Sequence, residues 1–138
     1  MEGTATTVEK GRVAEDIAAR WLEVHGLRIL ERNYRHNHLE IDIIAEGPLL
    51  TSEGKPAEGT LDTSFLHIVE VRSRAEGSIV SPEKTILPRK QKLLISAADA
   101  FARAARCHLE VVFDVIGIET GEHGHALTFT PEAFRPKW

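Results

Sequence analysis

Apolar positions along the chain alternate between two spacings. From Thr6 to His25, Val13, Ile17, Trp21 and Val24 fall on one side of a helical wheel, and Ala14, Ala18 and Leu22 widen that arc. Thr6 and Glu9 have the spacing of a capping box, and Gly26 supplies a left-handed stop. The pattern therefore predicts a helix over Thr6–His25, with Glu15 at the edge of its apolar arc. Leu27–Tyr34 mixes aliphatic residues with charge, as an edge strand does. Leu39–Ala45 is a stronger strand, because Ile41, Ile43 and Ile44 are β-branched. The short polar link Arg35–His38 joins the two as an antiparallel hairpin.

Gly47–Ser64 is different in kind. Its three glycines, two prolines and acids Glu53, Glu58 and Asp62 predict a long solvated loop, mobile at its tip. Phe65–Val71 then reads as a central strand, apolar except at His67 and Glu70. After a connection over Arg72–Pro88, Pro88 suits the first position of a second helix. That helix runs to about Arg106, with Leu94, Ala97, Phe101 and Ala105 as its buried stripe. His108–Glu119 is another buried strand, and Ala126–Thr130 a weaker one at an edge. The order α-β-β-β-α-β predicts an α/β fold with a central mixed sheet. Its third and fourth strands would run parallel through a right-handed crossover. At 138 residues the chain, 1–138, suits a single domain.

Composition adds exclusions. With 42% hydrophobic and 28% charged residues the chain is neither disordered nor fibrous. Cys107 stands alone, which excludes a disulfide framework. The polar N-terminus lacks a secretory core, and no apolar run approaches the ~20 residues of a membrane span. The expectation is a cytoplasmic protein without membrane contact. A net charge of −4 offers no global attraction to a polyanion. Locally the balance reverses: Arg72, Arg74, Lys84, Arg89, Lys90 and Lys92 face only Glu76 and Glu83, and Arg28, Arg32 and Arg35 form a second basic stretch.

Glu40 and Asp42 are two apart on one predicted strand, and Glu70 and Arg72 repeat that spacing on the next. Charge inside strands this apolar is expensive unless it is paired or binds a metal. One reading is an Asp42–Arg72 or Glu70–Arg72 ion pair at the strand ends. The other is a Mg²⁺ site, with oxygens from Asp42 and Glu70 and with Glu15 as an additional or outer ligand. Arg89, Lys90 and Lys92 crowd the positive end of the second helix, where stability favours acids and an anion would be welcome. Lys90 shares the face of Leu94, so it is either aimed at the sheet or snorkels at the core's rim. His67 reads as a core or edge histidine with a local partner.

Six blocks occur in order: Gly11-Arg-Val-Ala-Glu15-Asp-Ile-Ala, Ile29-Leu-Glu-Arg-Asn33-Tyr-Arg, Glu40-Ile-Asp-Ile-Ile-Ala, Val69-Glu-Val-Arg-Ser-Arg, Pro88-Arg-Lys-Gln-Lys-Leu and Phe113-Asp-Val-Ile. Over roughly Gly11 to Ile118 the chain resembles the YraN family of small bacterial proteins. That family is similar to the PD-(D/E)XK nuclease superfamily, particularly its Holliday-junction-resolvase-like branch. The resemblance implies a three-layer restriction-endonuclease-like core. It also implies a Mg²⁺-dependent (or Mn²⁺-dependent) endonuclease that hydrolyses DNA, including branched or structured DNA. By it, Asp42 and Glu70 match the motif's metal-binding acids and Glu15 the helix-borne glutamate. Arg72 stands where the motif has lysine, and Lys90 matches a lysine of the second helix; these five form the implied catalytic set. Nucleic acid would be contacted by Arg35, Arg72, Arg74, Arg89, Lys90 and Lys92. Arginine stays protonated and cannot act as a general base, though its planar fork can clamp a phosphate. The alternative is thus a non-catalytic nucleic-acid-binding or scaffold protein on the same fold, and a third reading is a protein-interaction domain with structural ion pairs. Resolvase-like enzymes act as dimers, so a homodimer is also implied.

Overall fold

The structure is a computed structural model that describes residues 7–136. Helix α1 (Thr7–Val24) buries Ala14, Ala18, Ala19 and Leu22, with Ile17 and Trp21 packed alongside. The predicted stripe is thus rotated, because Val13 and Val24 are exposed. Small residues at positions 14 and 18 let the helix lie close to the sheet. The Thr6 cap falls outside the described residues. Gly26, at φ +95°, reverses the chain so that the Leu27 N–H donates to the Leu22 carbonyl at 3.0 Å.

Strands β1 (Arg28–His36) and β2 (Leu39–Gly47) form the antiparallel hairpin, turning at Asn37 with φ +58°. After β3 (Phe65–Ala75) come helix α2 (Pro88–Ala104), β4 (Glu110–Gly121) and β5 (Gly124–Phe134). The five strands stand in the order β1-β2-β3-β4-β5. Only the β3–β4 pair is parallel. The architecture is therefore mixed α/β, with one five-stranded mixed sheet and two helices. Alternating strand residues feed two core clusters: Val69, Ile116 and Ile118 pack with α1, while Ile68, Phe113 and Val115 pack with α2. Each helix thus covers one face of the sheet.

Several boundaries differ from the pattern-based expectation, those of β3, β5 and α2 among them. β3 continues past Val71 to Ala75 because β4 pairs with it throughout. β5 is eleven residues long, held by its ladder with β4 rather than by its own propensity. Ala105 is exposed, since α2 ends before it. The segment 47–64 is largely exposed, as its composition predicts, but it is anchored at two points. Leu50 is buried in the α1 cluster and bridges to Pro56, and Thr51 and Lys55 pair through their backbones. At Gly54, φ +83°, a Cβ would collide with the rings of Trp21 and His25. This segment is packed on the end of α1; its glycines and acids disguise two anchoring contacts.

Candidate functional site

The pleat of β2 breaks at Asp42. Ile41 packs in the α2 cluster and Ile43 in the α1 cluster, although residues two apart on a regular strand share a face. On the neighbouring strand Asn33 has φ +52°, and the β2–β3 ladder ends at the Ile43–Val69 pair. Beyond that point Asp42 Oδ2 accepts the Val71 N–H at 2.8 Å. A carboxylate has replaced the missing ladder acceptor.

The break gathers acids. One carboxylate oxygen from each of Glu15, Glu40 and Asp42 lies within 4.8 Å of the others. Asn33 Nδ2 donates to Glu15 Oε1 at 2.6 Å and to Glu40 Oε1 at 2.9 Å, tying α1 to the hairpin. Glu70, on β3, is buried; its Oε2 lies 3.7 Å from Lys90 Nζ, and its Oε1 has no partner. Burial, and then the charge of Asp42, push the Glu70 carboxyl up to about 8, against the pull of Lys90, Arg72 and the Asp42 N–H. Asp42 is raised to about 6, chiefly by burial and further by Glu15. The Val71 N–H, Lys90 and Arg72 act in the opposite direction.

Left to itself this arrangement is costly, because a buried oxygen without a hydrogen bond forfeits about 1–3 kcal/mol. An all-oxygen donor set of crowded carboxylates suits a hard divalent cation, whose charge would relieve the repulsion. Glu15 and Asp42 converge with Glu40, whereas Glu70, predicted as a ligand beside Asp42, stands outside that trio, next to Asp42 and paired with Lys90. Among the described residues, the ion pair of Glu70 is with Lys90; neither Asp42–Arg72 nor Glu70–Arg72 is found. Arg72 lies two residues beyond Glu70 with its Nε buried and unpartnered. Arg74 is 3.7 Å from Glu119, and Arg35 is 3.4 Å from Glu40. Arg89 is exposed at the start of α2. Lys92 lines a groove of about 1100 Å³ with Ile95, Ala102 and Phe134, a groove that none of the clustered acids borders.

Two members of the site were not singled out as ligands or supports by the sequence. Glu40 had a visible signal, its spacing from Asp42, but nothing distinguished it from a surface acid. Asn33 had only its tolerance of positive φ. A second buried polar group lies close by: His67 Nδ1 is 2.7 Å from Asp114 Oδ2, and His67 Nε2 donates to the Pro48 carbonyl at 3.0 Å. Asp114 Oδ1 in turn accepts the Glu132 N–H at 2.9 Å, where the β4–β5 register shifts.

Residues 14–118 match the profile of UPF0102, described as an uncharacterised protein family. The chain belongs to the UPF0102 family. All of the clustered carboxylates and Lys90 lie within the matched span. A UPF0102 protein of Chlorobium chlorochromatii is 38% identical over 118 residues, covering 86% of this chain and 80% of its own. One from Parabacteroides distasonis is 30% identical, covering 91% and 92%. Another, from Nitrosococcus oceani, is 32% identical and covers 95% of both chains. Among the described residues of this UPF0102 protein, no helix is long and apolar enough to cross a membrane.

Proposed function

We propose that this UPF0102 protein is a Mg²⁺-dependent endonuclease of the PD-(D/E)XK type, with a restriction-endonuclease-like core, acting on DNA phosphodiester bonds. Mn²⁺ would serve in place of Mg²⁺. The observation that carries the reading is the orphaned Glu70 Oε1, buried beside an Asp42 whose carboxyl is itself raised. A buried carboxyl left without a partner on one oxygen, beside a half-buried Asp42, is what a site finished by a ligand shows.

Asp42 and Glu70 would hold the cation, with Glu15 and Glu40 beside them. Bound there, it would supply a polarised water and neutralise charge building on the phosphate. Asn33 keeps the Glu15 and Glu40 carboxylates converged. Arg72, permanently charged, grips a phosphate oxygen. Lys90 balances Glu70 and offers its ammonium to the same phosphate. Arg74, Arg89 and Arg35 extend the cationic path for the backbone of the nucleic acid. Arg72 at the lysine position also favours a second reading: a non-catalytic nucleic-acid-binding protein on the same fold, in which the acids bind a cation without turnover.

The deciding experiment incubates the protein with linear, single-stranded and four-way-junction DNA in Mg²⁺ or Mn²⁺, beside Asp42→Ala. Cleavage by the parent alone is the expected outcome, and equal cleavage by the variant would sink the assignment. Binding without cleavage selects the second reading. Affinity indifferent to salt would contradict phosphate contacts altogether.

A further inference from the structure

His67, near the start of β3, is 1% exposed, and acceptors face both of its ring nitrogens. Nε2 lies 3.0 Å from the Pro48 carbonyl and 3.3 Å from that of Gly47. A carbonyl brings no proton, so the proton of that contact sits on Nε2. Nδ1 lies 2.7 Å from Asp114 Oδ2, while Asp114 Oδ1 accepts the Glu132 N–H at 2.9 Å. A lone pair on Nδ1 would repel the carboxylate at that distance, so a second proton lies between them. Imidazole is the more basic partner, and the proton stays on the ring. With two protons the buried pair is neutral as a whole; with one it would be a net charge out of water.

Loss of one proton to water reverses the sign of one contact. The remaining proton stays on Nδ1, beside the carboxylate, and the electron pair left on Nε2 then points at two carbonyl oxygens. Attraction between the ring and the Pro48 carbonyl becomes repulsion, and low polarity around it leaves that repulsion poorly screened. Among the described residues, no other charge is free to answer it from the neighbouring elements. Glu46 of β2 is bound to Arg28, Glu132 of β5 to Arg135, and His25, just beyond α1, to the Trp21 carbonyl.

The two stretches that this pair ties border the same groove. Leu49, next to Pro48, and Glu132 both line the groove of about 1100 Å³ beside α2. We infer that His67 and Asp114 form a proton-operated latch on that groove. Doubly protonated, the ring holds the Pro48 carbonyl and, through Asp114, the Glu132 backbone. Loss of the Nε2 proton lets go of Pro48 and reshapes the groove at its Leu49 rim, so rising pH opens the latch. None of the clustered carboxylates borders the groove, and the latch works independently of them.

The test follows the full-length, ¹⁵N-labelled chain by NMR from pH 6 to pH 9. At pH 6 both ring nitrogens of His67 should carry protons, seen as two side-chain N–H signals shielded from exchange by burial. As the Nε2 signal is lost at higher pH, the Glu132 amide resonance should move along the same titration curve. The backbone reports the opening through Ala57, whose N–H donates to the Leu49 carbonyl at 2.7 Å. Its protection against hydrogen exchange should fall by about tenfold once the ring has titrated. His67→Gln keeps a donor for the Pro48 carbonyl but has nothing to titrate, so its Ala57 protection should stay level over the same range. A ring with a single proton at pH 6 overturns the latch. So does a ring that titrates while Ala57 protection is unchanged, or one that keeps both protons until the whole chain unfolds. A fall in protection that persists in His67→Gln overturns it as well. If that variant does not fold, the titration of the parent still decides.

Discussion

His67 and Glu70 lie three residues apart on β3, both buried, and are treated in opposite ways by their surroundings. His67 has Asp114 on one ring nitrogen and backbone carbonyls on the other, while Asp114 uses its second oxygen on the Glu132 N–H. That pair is closed. Glu70 has the Asp42 N–H and one partially exposed lysine at 3.7 Å, but keeps a raised carboxyl and an oxygen without a partner. Desolvation penalises both; only the first is compensated within the chain. Completed polar burial serves to fix backbone, here the start of segment 47–64 and the β5 bulge. Incomplete polar burial holds free energy that a ligand can recover.

The comparison breaks most visibly at Asp114. Asp114→Ala leaves His67 and the Glu132 N–H unanswered, and should cost about 3–5 kcal/mol in urea unfolding. A loss below about 1 kcal/mol would show that the pair is not the tie described. Glu70→Gln should act with the opposite sign, raising the stability of metal-free protein at pH 8 by roughly 2 kcal/mol.

The pH dependence follows from the raised carboxyls. Folded Glu70 and Asp42 keep protons up to about 8 and about 6, whereas unfolded they release them near ordinary carboxylate values. Their contribution is therefore most favourable at the acid end of that window and declines as pH rises through it. Metal-free protein should melt lower at pH 8 than at pH 5.5. Mg²⁺ should restore the loss, and Glu70→Gln should flatten the slope and blunt the Mg²⁺ response. A melting temperature rising from pH 5.5 to 8 in the parent, but not in the variant, would contradict this. The smallest effect belongs to Asn33→Gly, which keeps the positive φ but deletes the amide between Glu15 and Glu40. It should weaken Mg²⁺ binding by about tenfold with little change in metal-free stability, measured by calorimetry.

The element order, the β1–β2 hairpin and the buried centre of β3 were all readable, because each is written in local periodicity. Asp42, Glu70 and Glu15 were readable for a different reason, as charges set within or beside apolar runs. What escaped depends on contacts between distant positions. The closure of His67 by Asp114 joins residues on different strands. The membership of Glu40 depends on a broken pleat at Asp42, which alternation alone cannot reveal. The rotated face of α1 reflects how closely Ala14 and Ala18 approach the sheet, rather than where its bulkiest residues lie. Segment 47–64 is solvated over most of its length, as its composition says, but that composition hides the packing of Leu50 and Gly54.

The parallel pairing of β3 with β4 has a kinetic consequence. Phe65 meets Glu110 only after a closure that contains the whole of α2, whereas β1 and β2 meet across a tight turn. The hairpin can therefore bring Asn33, Glu40 and Asp42 together early. Glu70 acquires its dry surroundings and Lys90 its place only when the crossover docks. The full set of carboxylates is thus a late product of folding, and a cation held there, as proposed, would act as a lock on the finished chain: it would slow unfolding and leave the rate of folding nearly untouched.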